Sequence, residues 1–144
     1  MTAPSALFSG TNVFASGELG AVLVNTDINA SIDGGGVAIT VGKKFYGFTA
    51  TAMKIVGWIA FCDVSATLTV DVWACLLASA PPTVANTITG TDLITITAGT
   101  QASDFTLSGW GTKLIPAGSA LIFNVASNNN ATLLRAQLIV QTGQ

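Results

Sequence analysis

Along most of this chain apolar and polar residues alternate with a period of two, and almost nothing repeats with the three-and-four spacing of a helix. Successive side chains of a strand point to opposite faces, so this alternation predicts strands with one buried side. Ala21-Val22-Leu23-Val24-Asn25 reads as a short strand. Asp33-Gly34-Gly35-Gly36 reads as a turn, because glycine tolerates the positive φ of tight turns. Val37-Ala38-Ile39-Thr40-Val41 then puts Val37, Ile39 and Val41 on one face. Ile55 to Phe61 is a nearly continuous apolar run, the pattern of a strand covered on both sides. After a predicted turn at Asp63-Val64-Ser65, Leu68, Val70 and Val72 point to the core, and Thr69, Asp71 and Trp73 point away. The two runs are expected to pair as a β-hairpin.

Consecutive prolines cannot donate to a ladder, so Ala80-Pro81-Pro82-Thr83 leaves the sheet. Strands are expected again at Leu93–Thr97, Phe105–Leu107 and Ala120–Val125, with a turn at Pro116-Ala117-Gly118 and a polar loop at Ser127-Asn128-Asn129-Asn130. The last strand runs from Thr132 to about Gln141. Leu134, Ala136, Leu138 and Val140 share one face; Leu133, Arg135, Gln137 and Ile139 share the other, as an interface or a partly covered outer face would. Residues 1–16 carry isolated Phe8 and Phe14 among small and polar residues, and read as an irregular N-terminal arm. About eight strands with frequent turns predict one all-β domain over 1–144, an antiparallel β-sandwich of jelly-roll or Greek-key type.

Composition sharpens this picture. Half the residues are hydrophobic, mean hydropathy is +0.63, and only 8% are charged, against about a quarter in ordinary soluble domains. The apolar runs are far shorter than the ~18 residues a spanning helix needs, so no membrane partner is expected. Met1-Thr2-Ala3-Pro4-Ser5 has no basic or long apolar region, so no secretory signal is expected. What remains is a domain that hides part of its surface against other protein. Nucleic acid is not an expected partner, since Lys43, Lys44, Lys54, Lys113 and Arg135 are scattered and the net charge is −2. Cys62 and Cys75 sit at different heights in the expected hairpin, so two buried free thiols are predicted rather than a disulfide.

Chemistry is sparse. There is no histidine, which removes the commonest general base and metal ligand. The aspartates at 27, 33, 63, 92 and 104 stand mostly beside turn residues and are expected to make Asx-turns. Asp71 lies mid-strand and is expected to be solvent-side or hydrogen-bonded. Neither the paired acids of a glycosidase nor a metal-ligand spacing is present, so no enzyme, cofactor or metal is expected. Trp58 belongs in the core. Trp73 faces away from the core valines, so the proline loop, another strand or a neighbouring subunit must cover it. Trp110, beside two glycines, is the candidate for an exposed platform.

The order of Ile55-Val56-Gly57-Trp58, Leu68-Thr69-Val70-Asp71-Val72-Trp73, Pro81-Pro82-Thr83-Val84-Ala85-Asn86-Thr87-Ile88-Thr89-Gly90, Thr106-Leu107-Ser108-Gly109-Trp110 and Ala117-Gly118-Ser119-Ala120-Leu121-Ile122-Phe123-Asn124-Val125 resembles a β-sandwich domain of tailed-bacteriophage virion proteins. The resemblance covers residues 54–140. It implies a structural domain, often trimeric, that is found on tail or neck fibres or attached to capsids. With no stalk, collagen-like or coiled-coil segment here, it points to a capsid decoration (cement) protein on the capsid surface, made in the host cytoplasm. Such a protein would have copies of itself and the major capsid protein or other virion proteins as partners. Phe8, Phe14, Trp73, Trp110 and Arg135 are the candidate interface residues. The competing expectation is a receptor- or glycan-binding module of a tail or head fibre, with Trp110 and the Asn128-Asn129-Asn130 loop as its site.

Overall fold

The computed structural model describes residues 27–142. Over the described residues it is all-β and antiparallel, with seven strands in one strongly bent, nearly closed, barrel-like sheet. The strands are β1 (Ile28–Asp33), β2 (Lys44–Thr49), β3 (Met53–Leu76), β4 (Ile94–Asp104), β5 (Leu114–Ile115), β6 (Ser119–Asn128) and β7 (Leu133–Thr142). Short 3-10 turns occur at Leu77–Ser79 and Val84–Asn86.

The expected hairpin is instead one strand. β3 runs unbroken through Asp63-Val64-Ser65, and its two ends never pair with each other. Along one flank it pairs with β4, from Trp58↔Asp104 to Val70↔Ile94. Along the other it pairs first with β7, from Met53↔Thr142 to Cys62↔Leu134, and then with β6, from Leu68↔Asn128 to Leu76↔Ser119. β6 and β7 therefore form one antiparallel track interrupted at the bend. β1 on β7 and β2 on β6 form a further track outside it. The molecule is thus a sheet folded across a single line, with the core between its two halves.

The bend has a local cause. Between Phe61↔Gln101 and Ala66↔Gly99 β3 carries more residues than β4, and the mismatch bends the strand as a β-bulge does. On β4 the chain turns through Ala98, whose φ of 47° is unusual outside glycine, and its N–H is met by the Thr67 hydroxyl at 2.9 Å. Asp63 does not make a turn of its own. Its carboxylate accepts the N–H groups of Thr132 and Leu133, each at 3.0 Å, and the Thr132 hydroxyl.

A second bulge sits near Gly57, where the β3–β7 register shifts between Ile55 and Gly57. It moves the buried face from the odd position Ile55 to the even series Trp58, Ala60, Cys62, Ala66, Leu68, Val70 and Val72. A Cβ on Gly57 would lie 2.2 Å from the Phe105 ring, so only glycine fits beneath that ring as it lies. The even series packs against Leu121, Phe123 and Val125 of β6 and Leu134, Ala136, Leu138 and Val140 of β7, all facing inward as their alternation predicted. Phe45 meets Phe123 edge-to-face at 6.1 Å, a favoured aromatic geometry.

Other expectations change. Val37–Val41 is a loop, and only Ile39 of its three apolar positions is buried. The chain turns where the Lys43 N–H reaches the Thr40 carbonyl and Gly42 takes φ +92°, which ends any strand there. Phe105–Leu107 is not a strand, whereas Lys44–Thr49 is. The predicted strand at 21–25 and the arm at 1–16 lie outside the described residues.

Candidate interface surfaces

The fold gives each half of the sheet an outer face, and the two faces are built differently. On the second half, Asp71 and Trp73 of β3 do point away from the core. Asp71 is nevertheless buried, and its carboxylate accepts the hydroxyls of Thr87 at 2.5 Å and Thr89 at 2.7 Å. Beside it the Ile88 N–H donates to the Val72 carbonyl at 2.8 Å, and Thr87 forms a bridge with Trp73. The segment after the proline pair is thereby stitched along β3. Lys44 Nζ stands 5.6 Å from the centre of the Trp73 ring, within cation–π range. Trp73 is left 9% exposed. Of its three expected covers, the proline loop supplies contact, and Lys44 of β2 adds to it.

The rim of this half is open. Tyr46 and Phe48 on β2 are 66% and 78% exposed, in register with Ile122 and Ala120 of β6. Cys75 is half-buried and lines a cleft of about 340 Å³ with Leu76, Ala85, Ile88, Ile115 and Ser119.

On the first half, the outer side of the run Ile55–Phe61 is covered by Phe105 at Gly57 and is open beyond it. Ile59 and Phe61 face outward, 39% and 54% exposed, which corrects the expectation of a strand buried on both faces. Arg135 lies directly across from Phe61, and Gln137 across from Ile59. With Asn29 they rim a shallow hollow of about 40 Å³. The outward set Leu133, Arg135, Gln137 and Ile139 is at least partly exposed, as its pattern suggested.

Trp110 is buried, 5% exposed, in a turn where its N–H reaches the Leu107 carbonyl and the next N–H reaches Ile88. A ring in that position cannot serve as a sugar platform. The three asparagines proposed beside it are also committed. Asn128 Nδ2 donates to the carbonyls of Ile39 and Ala131, Asn129 Oδ1 accepts the Thr67 N–H, and Asn130 Nδ2 donates to the Ser65 carbonyl. They clamp the bend. Phe8 and Phe14 lie outside the described residues. Trp73, Trp110 and Arg135 thus stand in three separate settings and form no joint site.

The carboxylates behave as structural groups. Asp33 and Asp104 accept N–H groups two residues ahead, as Asx-turns do. Asp92 instead reaches across to the Gly109 N–H, and Asp27 accepts the Gln137 amide. The Thr132 hydroxyl and the Leu133 and Thr132 amides hold Asp63 down at about 2. Asp104 is also lowered, first by the Thr106 N–H and then by its hydroxyl. Burial pushes the Cys62 thiol up, helped by the neighbouring Asp63 charge. Among the described residues no three His, Cys, Asp or Glu side chains gather as metal ligands would.

Tyr46, Phe48, Ile59 and Phe61 are exposed residues that the sequence did not single out, as are Leu77, Val84, Phe105 and Leu114. The alternation in Phe45-Tyr46-Gly47-Phe48 held the signal for the first pair. No known protein family matches the chain, nor does any curated protein sequence. In fold it is similar to a chain of the capsid of Ralstonia phage GP4, with a TM-score of 0.51 and 13% identity over 94% of each chain.

Proposed function

We propose that this protein is a structural component of a phage virion, and more narrowly a capsid decoration protein that bridges and stabilises neighbouring capsid subunits, with no catalysis of its own. The observation that carries the reading is the fold likeness, which extends over nearly all of both chains. Surface chemistry supports it. A chain with 8% charged residues and exposed Tyr46, Phe48, Ile59 and Phe61 carries apolar area that an interface would cover. The two open regions lie on opposite outer faces of the folded sheet, so one copy can touch neighbours on two sides.

Electron cryo-microscopy of purified virions, with mass spectrometry of the same particles, tests the proposal. Density for this fold between capsid subunits is the expected result. Particles that lack the protein overturn the virion reading, and density confined to the tail overturns the capsid reading. Virions assembled without it are expected to lose infectivity at a lower temperature than complete ones. Equal heat resistance would sink the stabilising role.

A further inference from the structure

The register makes the outer face of the first half a small grid. One row runs Asn29, Gln137, Ile59, Ser103 and the next Ser31, Arg135, Phe61, Gln101. A third holds Asp33 and Leu133, with Asp63 bound to the Leu133 N–H. Arg135 is the lone cation of this grid and stands beside an exposed phenyl ring that it does not cover. Among the described residues the cation–π contact is that of Lys44 on Trp73.

We propose that this face is where two copies of the chain meet, about a two-fold axis lying between β7 and β3 and parallel to them. Such a rotation exchanges the two strands, so β7 of each copy lies over β3 of the other. Each Arg135 then rests on the partner's Phe61, and each Gln137 on the partner's Ile59. The contact is isologous: a cation–π pair forms twice from one neighbouring pair of residues. The partner's Asp63 stands one same-face step along the strand from its Phe61, about 7 Å away, within reach of the guanidinium. Arginine and aromatic side chains are the types that carry most interface energy. The pairing needs nothing from the virion reading and stands or falls separately.

Size sets its strength. Four strands about 4.8 Å apart and three rows about 7 Å apart give a footprint of roughly 400 Å². That is about half the ~800 Å² per partner of a stable complex. The contact is therefore expected at the small, transient end of specific interfaces.

Sedimentation equilibrium of the full-length chain up to millimolar concentration tests this. A reversible dimer is expected, and Phe61→Ser or Arg135→Glu should each weaken it tenfold or more. The exchange variant, Phe61→Arg with Arg135→Phe, should recover most of the affinity, because the axis only reverses which strand supplies the ring. Tyr46→Ser, on the other half, should leave it unchanged. Both first-half residues are exposed, so unfolding midpoints within a few degrees of the parent separate lost pairing from lost folding. A chain that stays monomeric, or a dimer or trimer indifferent to Phe61→Ser and Arg135→Glu, overturns the proposal. Failure of the exchange variant to rescue overturns the two-fold axis.

Discussion

The two halves of β3, one a nearly continuous apolar run and the other alternating, meet opposite fates on their outer sides. In the second half, Asp71 and Trp73 face outward, and the chain covers them with Thr87, Ile88 and Thr89. In the first half, Ile59 and Phe61 face outward and the described residues leave them open. The lesson concerns polarity. The covered half holds a buried carboxylate, which is tolerable only because two hydroxyls satisfy it. The open half carries apolar groups and one arginine, which water tolerates and a partner can use. Burial of an outward residue here depends on which loop returns to it, not on its own hydropathy.

The sharpest way to break that comparison is to truncate one ring from each half. Trp73→Ala removes a ring packed under Lys44 and beside Thr87, and large-aromatic truncations in packed sites cost about 3–5 kcal/mol. Phe61→Ala removes a ring more than half exposed and should stay within about 0.5 kcal/mol. Urea unfolding followed by tryptophan fluorescence of the variants and parent measures both. Equal losses would mean that the second-half cover is not a packed one.

Asp71→Ala should be the next largest. It leaves the Thr87 and Thr89 hydroxyls without their acceptor and should cost about 1–3 kcal/mol. Hydrogen exchange should localise the loss, with the Ile88 amide exchanging faster than the β7 amides. A loss spread evenly over the sheet would mean that the segment is not anchored through Asp71.

The cysteines sharpen the comparison chemically. Cys62 belongs to the first half but points into the core, and its thiol donates to the carbonyls of Val64 and Gly99. Burial, and after it the Asp63 charge, pushes the thiol up, which disfavours the reactive thiolate. Cys75 is half-buried on the rim of a cleft. A maleimide at mildly alkaline pH should label Cys75 at least about tenfold faster than Cys62. Peptide mass mapping after timed quenching gives the ratio, and comparable rates would contradict the inward setting of Cys62.

Legibility in the sequence follows the same division. The inward faces of β6 and β7 were plain, because the period of two gathers their bulkiest apolar residues, Leu121, Phe123 and Val125 and Leu134, Leu138 and Val140, on one face of each strand. The long strand was not, because Asp63-Val64-Ser65 has the composition of a turn while its carboxylate serves Thr132 and Leu133, far away in the chain. Val37–Val41 failed the opposite way: its β-branched alternation was overruled by the turn ending at Lys43 and the positive φ of Gly42. The open face was half visible. Arg135 and its neighbours on β7 were marked as mixed, but the apolar run on β3 matches burial and interface equally well. Trp110 and the asparagine loop look like binding residues because tryptophan and asparagine also suit a buried turn and a backbone clamp.

The smallest expected effect tests the hinge between the halves. Asp63 is held at about 2 by the Thr132 hydroxyl and the Leu133 and Thr132 amides, against about 3.9 for an unfolded aspartate. A lowered folded value means that the unfolded chain binds the proton first. The contribution is therefore complete above about pH 4 and drains away as pH falls toward 2. Asp104, lowered by Thr106 and Leu107, acts in the same direction. Both carboxylates are at the surface, so solvent and salt screen the gain. Urea midpoints measured from about pH 5 down to about pH 2 should fall, and Asp63→Asn should make the fall shallower. The variant should also lose protection at the Thr132 and Leu133 amides before any β4 amide is affected. An unchanged slope together with unchanged protection would show that the bulge alone bends β3 and that the carboxylate is not needed to hold the two halves in place.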